Sequence, residues 1–64
     1  MKPLVRFHIY RGHGRIVALD PTRVESVDEE ADSAFTRVHM RNGEVYAVAH
    51  TISDVIKTVE LARG

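Results

Sequence analysis

The chain contains no cysteine and no long apolar run, and each of these absences excludes a class of protein. Without cysteine, the protein can form neither disulfides nor thiolate metal sites. No apolar stretch approaches the ~20 residues of a membrane-spanning helix. The first residues, Met1 to Arg6, carry charge where a signal peptide needs a continuous apolar run. We therefore predict a cytoplasmic protein without a membrane partner.

The formal net charge is zero, because nine Lys and Arg residues balance nine Asp and Glu residues. Bulk electrostatics therefore do not indicate a nucleic-acid partner. The charges are unevenly distributed: six of the nine acids lie between Asp20 and Asp32, and seven of the nine bases are arginine. Arginine suits planar or anionic ligands and protein interfaces.

A chain of 64 residues forms one domain, residues 1–64. A domain this short buries only about 60% of its unfolded surface. Small domains compensate with disulfides, a structural metal or a partner subunit. Because disulfides are excluded, the size argument predicts a homo-oligomer.

The first half of the chain reads as short strands. Residues Leu4 to Tyr10 alternate apolar and polar side chains, which is typical of a half-buried strand. The segment Arg11 to Arg15 contains two glycines and predicts a tight reversal. A second strand, 15–19, ends at Asp20-Pro21, and a short third strand is expected over 23–27.

The segment 35–49 predicts a β-hairpin with a two-residue type I′ turn at Asn42-Gly43, the strongest short-range hairpin signal. This loop length fixes a register that pairs Arg41 with Glu44, Met40 with Val45, His39 with Tyr46, Val38 with Ala47, and Arg37 with Val48. One face would then be a core face, formed by Val38, Met40, Val45 and Ala47. The other would be polar near the turn and apolar at its far end, where Phe35 and Val48 form an interface.

Thr51 to Asp54 predicts the start of a helix, with Thr51 as the N-cap and Asp54 near the positive end of the helix dipole. One apolar stripe follows at helical spacing, formed by Ile52, Val55, Ile56 and Val59. The predicted fold is α+β and mainly β. It has about five antiparallel strands in a bent sheet or a small, partly open barrel, with one C-terminal amphipathic helix.

Two family resemblances follow from the second half of the chain. The hairpin 37–45 resembles the second half of an Sm-like motif. Sm-like proteins carry their helix before the strands, so the match is one of hairpin chemistry.

The last third of the chain resembles the short FlbD-type flagellar or swarming-motility proteins and similar small phage proteins. The matching residues are Asn42, Gly43, Tyr46, Val48, Thr51, Val55 and Ile56. This resemblance implies a small accessory protein without enzymatic activity, and it transfers no site.

The sequence offers little support for catalysis, a cofactor or a metal. Zinc needs three or four converging ligands, and the four histidines (His8, His13, His39 and His50) show neither His-x-His nor His-x-x-x-His spacing. Solvated or cross-strand histidines are the plainer interpretation. The serines occur in no recognisable nucleophile motif, and the carboxylates 28–30 lack apolar neighbours. The turn 12–14 can cradle an anion on backbone amides or simply reverse the chain. We predict no enzyme activity, no cofactor and no metal site.

One cationic pattern repeats along the chain. Strand one carries Arg6, His8 and Tyr10 on one face, and strand four carries Arg37, His39 and Arg41 on one face. If the two faces coincide, these side chains and Tyr46 form a patch suited to single-stranded nucleic acid or a nucleotide. The alternative interpretation is a solvated sheet face balanced by Glu25 and Glu44.

Two functional hypotheses therefore remain. The first is a protein-interaction or regulatory module of bacterial or phage type, which binds itself and another protein through the Phe35 and Val48 end of the sheet and its arginine rim. The second is an oligomer that binds nucleic acid or an anionic nucleotide through the cationic patch. Added salt should weaken phosphate binding steeply and affect an apolar interface little.

Overall fold

The computed structural model describes residues 3–64, so Met1 and Lys2 of the charged start lie outside the described residues. The first hairpin pairs β1 (Val5–His8) with β2 (Ile16–Leu19) in antiparallel orientation. The alternation predicted for β1 is confirmed, because Val5 and Phe7 are buried whereas Arg6 and His8 are exposed. In the connecting turn, a Cβ atom at Gly12 would lie 2.7 Å from the Cβ atom of Ile9, so this close approach requires glycine.

A second sheet follows a short 3₁₀ helix (Pro21–Arg23). It contains β3 (Val24–Asp28), β4 (Thr36–Met40) and β5 (Val45–Val48), hydrogen-bonded in that order. The two sheets meet through an antiparallel bridge between Ile9 and Val48. The predicted fold class is confirmed: residues 3–64 form five antiparallel strands and one C-terminal helix. The strands form two sheets that do not close into a barrel.

The helix α1 (Ile52–Arg63) begins where the sequence predicts. The Thr51 hydroxyl oxygen accepts a hydrogen bond from the Asp54 backbone N–H at 3.2 Å, which satisfies one of the first-turn donors. At the other end, the Arg63 guanidinium donates to the carbonyl oxygens of Pro21 (2.8 Å) and Val24 (2.7 Å). Among the residues described, no helix has both the length and the apolar character needed to cross a membrane.

The core lies between the helix and the inner faces of the two sheets. It consists of Val5, Phe7, Leu19, Val24, Val38, Met40, Val48, Val55 and Val59. The Thr36 side chain is also fully buried, and its hydroxyl donates to the His50 carbonyl oxygen at 2.7 Å. This bond ties β4 to the residue that precedes the helix cap.

The predicted hairpin register is wrong by one residue. The loop contains three residues, 41–43, because the Gly43 N–H donates to the Met40 carbonyl at 3.0 Å and the Met40 N–H donates to the Glu44 carbonyl at 2.8 Å. Only Gly43 in this loop takes the left-handed conformation, at φ +92°, whereas a type I′ turn would require it of Asn42 as well.

The corrected register pairs Thr36 with Val48, Arg37 with Ala47, Val38 with Tyr46, and His39 with Val45. A one-residue shift turns the side chains of one strand to the opposite face of the sheet. Val48 therefore lies in the core with 0% of its surface exposed, whereas Val45, predicted to be buried, is 51% exposed. The predicted core positions Val38 and Met40 are confirmed.

Candidate interaction surface

The backbone hydrogen bonds of the first hairpin determine which groups of β2 are free. The Ile9 N–H donates to the Arg15 carbonyl at 3.0 Å, so Ile9 and Arg15 form a hydrogen-bonded pair. Hydrogen-bonded and non-hydrogen-bonded pairs alternate along an antiparallel ladder, so Val17 and Leu19 also bond to β1. The N–H and C=O groups of Ile16 and Ala18 therefore point away from β1.

Within residues 3–64, β2 pairs with β1 alone, so the groups of Ile16 and Ala18 form an unpaired sheet edge. We call this the open edge. Its side chains are apolar, and Ile16 is 56% exposed. The strand Ile16–Leu19 contains no charged residue and no proline, two of the devices that natural proteins use to block edge pairing.

The opposite edge of the strands, β3, is better protected. Its pairing with β4 shifts register between Val24 and Ser26, and it carries Glu25 and Asp28. The Val24 carbonyl is also occupied by Arg63 from the helix. Irregular pairing, charge and cover are the features that prevent strand addition. The open edge at β2 is therefore the more available of the two.

The predicted cationic residues of β1 lie beside the open edge, on the outer face of the sheets, which is the side away from the core. Arg6 and His8 are exposed there, and they stand directly opposite Ala18 and Ile16 of β2. The Tyr10 ring is half-buried and packs on the Phe35 ring at a centroid distance of 4.8 Å.

The predicted cationic residues of β4 are already paired with carboxylates. The Arg37 Nε atom donates to Asp28 Oδ1 at 2.6 Å, and a terminal Arg37 nitrogen donates to Glu30 at 3.1 Å. The His39 Nε2 atom donates to the second Asp28 oxygen at 2.9 Å. The hydrogen bond from Arg37 is the main cause that lowers the pKa of Asp28, and the same contact raises the pKa of Arg37. The balancing acids are therefore Asp28 and Glu30, rather than Glu25 and Glu44.

Tyr46 and Arg41 do not join Arg37 and His39. Tyr46 shares a face with Val38 in the corrected register and packs partly against the core. Its hydroxyl donates to the carboxylate of Glu44, which raises the pKa of Tyr46. Arg41 lies in the hairpin loop and is exposed. The structure thus brings Arg6, His8 and Tyr10 to one outer face with Arg37 and His39, but it places Tyr46 on the other side.

The predicted interface pair is also separated. Phe35 is half-buried on Tyr10, but Val48 is fully buried in the core. The prediction that these two side chains form one exposed apolar surface is therefore wrong, because the hairpin register differs by one residue.

A shallow cleft lies beside the start of β4 and the start of α1, with a volume of about 250 Å³. His50 lines it, and the His50 Nε2 atom accepts a hydrogen bond from the His8 backbone N–H at 2.9 Å. The Phe7 ring packs edge-on against this imidazole at 5.3 Å. His50 thus joins β1 to the start of the helix. Across residues 3–64, no three His, Asp or Glu side chains gather as a metal-binding cluster.

The open edge is the feature that sequence reasoning missed. Its signal was present in the uncharged run Ile16 to Leu19, although the predicted strand 15–19 also includes Arg15. What the sequence did not reveal is that this strand stands at the end of the strand order, since strand order depends on tertiary pairing. Comparison of the chain with protein-family models, with curated proteins and with solved structures finds no match in any of the three.

Proposed function

We propose that this protein is a small, non-catalytic interaction module that binds a protein partner by strand addition at the open edge. The observation that carries the proposal is the unpaired, uncharged edge of β2, where exposed Ile16 accompanies free backbone groups. In strand addition, main-chain hydrogen bonds provide affinity and alternate side chains provide specificity. The partner is expected to be an extended segment with apolar side chains at alternate positions. The resemblance to FlbD-type and phage proteins supports a bacterial or phage accessory role.

Nuclear magnetic resonance on the ¹⁵N-labelled protein tests this proposal. Short peptides that alternate valine and threonine serve as probes, and the same peptides with N-methyl groups on alternate residues serve as controls. We expect the unmodified peptides to shift the amide signals of Ile16 and Ala18 most strongly, and the methylated peptides to have no effect. Largest shifts at Ile56 and Leu61, the exposed apolar residues of the helix, would overturn the proposal.

A proline variant tests the same surface from the protein side. Because the Ala18 N–H points away from β1, Ala18→Pro removes one edge donor without removing a bond of the β1–β2 ladder. We expect the variant to remain folded and to lose peptide binding. Val17→Pro, which removes a bond to β1, is the matched control and should destabilise the fold instead.

A second candidate function is the binding of nucleic acid or an anionic nucleotide on the outer face. The aromatic pair of Tyr10 and Phe35 favours it, since the Arg11 guanidinium lies 5.3 Å from the centre of the Tyr10 ring. Stacked aromatic side chains next to arginine are suited to single-stranded bases. The pairing of Arg37 with two carboxylates reduces the positive charge available there.

A labelled single-stranded oligonucleotide measured by fluorescence anisotropy tests this second function. If it is correct, binding weakens steeply with added salt, and Tyr10→Leu reduces affinity about ten-fold or more. Tyr46→Leu is the control, because Tyr46 lies on the other side of the sheet. Equal effects of the two substitutions, or binding that salt does not change, would contradict it.

A further inference from the structure

We propose that the strand added at the open edge is β2 of a second copy of this chain, in an antiparallel pair whose two-fold axis passes beside Val17. This inference rests on the proposed function and names its partner. In this arrangement Val17 of one copy stands opposite Val17 of the second copy. Ile16 of each copy stands opposite Ala18 of the other, so all the free backbone groups of the open edge find partners.

The geometry of the chain excludes the two neighbouring registers. An axis beside Ile16 would bring Gly14 into the ladder, but Gly14 has a φ of +86°, which is incompatible with a strand. An axis beside Ala18 would place the exposed Ile16 side chain opposite the Asp20 carboxylate of the second copy, so an apolar group would lie against a charge. The axis beside Val17 uses strand residues alone.

The side chains of this register are complementary in size. The large Ile16 lies beside the small Ala18 of the second copy on the outer face, and the exposed surface of both is reduced. Arg15 of each copy stands opposite Leu19 of the second copy, so this register places no two charged residues directly opposite each other.

Size also favours a second copy over a monomer. Among residues 3–64, nine apolar side chains are buried in the core, and the chain has no cysteine that could form a disulfide to support them. Domains of this length bury a small fraction of their surface and gain from association. A continuous sheet formed from two copies would cover the exposed part of Ile16 in both.

Analytical ultracentrifugation of the wild-type chain gives the first test. We expect a concentration-dependent monomer–dimer equilibrium, and we expect Ala18→Pro to weaken dimerisation by at least about ten-fold because each copy loses one edge donor. Leu61→Lys is the control, because Leu61 lies on the helix and is 72% exposed. This variant should dimerise as strongly as the wild type. A wild-type chain that stays monomeric at all concentrations would overturn the inference.

Single cysteine substitutions test the register. Because the chain contains no natural cysteine, no other thiol can form a disulfide. With the axis beside Val17, two Val17→Cys copies lie directly opposite in a non-hydrogen-bonded pair, where a disulfide can form. Two Ala18→Cys copies are offset along the strands and should not cross-link. We expect oxidation to link Val17→Cys into dimers, and the double variant Val17→Cys/Ala18→Pro to link far less. Preferential cross-linking of Ala18→Cys would contradict the register.

The proposed strand addition and the proposed dimer can be tested separately. If the wild type is monomeric but the valine–threonine peptides shift the amide signals of Ile16 and Ala18, the dimer is excluded and the open edge binds a different partner. If the chain is monomeric and the peptides shift neither amide signal, both proposals are wrong.

Discussion

At the scale of single residues, Arg63 joins the end of α1 to the segment that leads into β3. Its guanidinium donates to the carbonyl oxygens of Pro21 and Val24. Hydrogen bonds from a charged donor contribute more than neutral ones, so we expect Arg63→Met to lower the free energy of unfolding by about 1–2 kcal/mol. Arg63→Lys should lie between the wild type and Arg63→Met, because an ammonium lacks the planar fork that reaches both carbonyls.

Urea unfolding followed by circular dichroism measures these changes. Arg41→Met is the matched control, because Arg41 is exposed and lies in the hairpin loop. Its free energy of unfolding should stay within about 0.5 kcal/mol of the wild-type value. Equal destabilisation by Arg63→Met and Arg41→Met would show that the contacts of Arg63 do not stabilise the fold.

The free energy of unfolding should depend on whether the Asp28 carboxyl group is ionised. The hydrogen bond from Arg37, assisted by that from His39 and partly opposed by desolvation, holds the pKa of Asp28 below its ordinary value of 3.8. A carboxyl group with a lowered folded-state pKa stabilises the fold above its unfolded pKa. That contribution is lost as the pH falls below 3.8 through the folded-state pKa. Asp28→Asn should therefore be less stable than the wild type at neutral pH, and the difference should shrink in acid.

Urea midpoints measured from about pH 7 to about pH 2 test this sign. Asp32→Asn is the control, since Asp32 lies in the exposed loop between β3 and β4. Its difference from the wild type should be small at every pH. A difference between Asp28→Asn and the wild type that is constant with pH would contradict the account.

At the scale of elements, the hairpin β4–β5 depends on Gly43. Its φ of +92° is unfavourable for residues with a Cβ atom, whereas a Cβ added there would meet no atom within 4 Å. The expected loss for Gly43→Ala is therefore one of backbone strain, about 1–2 kcal/mol. Gly43→Asn should lose less, because asparagine tolerates the left-handed region better than alanine. Thermal unfolding measures the order, and equal losses for both variants would contradict it.

The same hairpin shows what the sequence could and could not predict. The strands, the turn position and the helix start at Thr51 were predictable, because alternation, Asn-Gly and N-cap chemistry are local signals. The register was not, since Asn42-Gly43 fits either a two-residue loop or the last two positions of a three-residue loop. That single choice decides whether Val48 or Val45 is buried, and with it the position of Tyr46 relative to Arg37.

At the scale of the whole molecule, pairing across the chain decides which surfaces are free. Arg37 and His39 were predictable as side chains on one face of β4, but their carboxylate partner Asp28 comes from the neighbouring strand. In the same way, the open edge arises because, among residues 3–64, β2 has one neighbour and stands at the end of the strand order. Both features depend on the strand order, which no local pattern contains.

A core this small should tolerate little loss of buried apolar volume. Among residues 3–64, Phe7 is 2% exposed and is the largest of the fully buried side chains. Truncation of a buried phenylalanine to alanine costs about 3–5 kcal/mol, which approaches the entire stability expected of a chain of this length. We expect Phe7→Ala to be largely unfolded by circular dichroism and amide signal dispersion. Leu61→Ala, at a 72% exposed position, should remain folded. A folded Phe7→Ala would contradict the assignment of the core.

Amide hydrogen exchange along β2 shows whether the open edge accepts an added strand. Val17 and Leu19 bond to β1, so we expect their amides to exchange slowly at every protein concentration. The amides of Ile16 and Ala18 should exchange rapidly in dilute solution and become protected as the concentration rises or a strand-forming peptide is added. Protection of Ile16 and Ala18 in the dilute protein without a peptide, or rapid exchange that no concentration or peptide changes, would contradict the account.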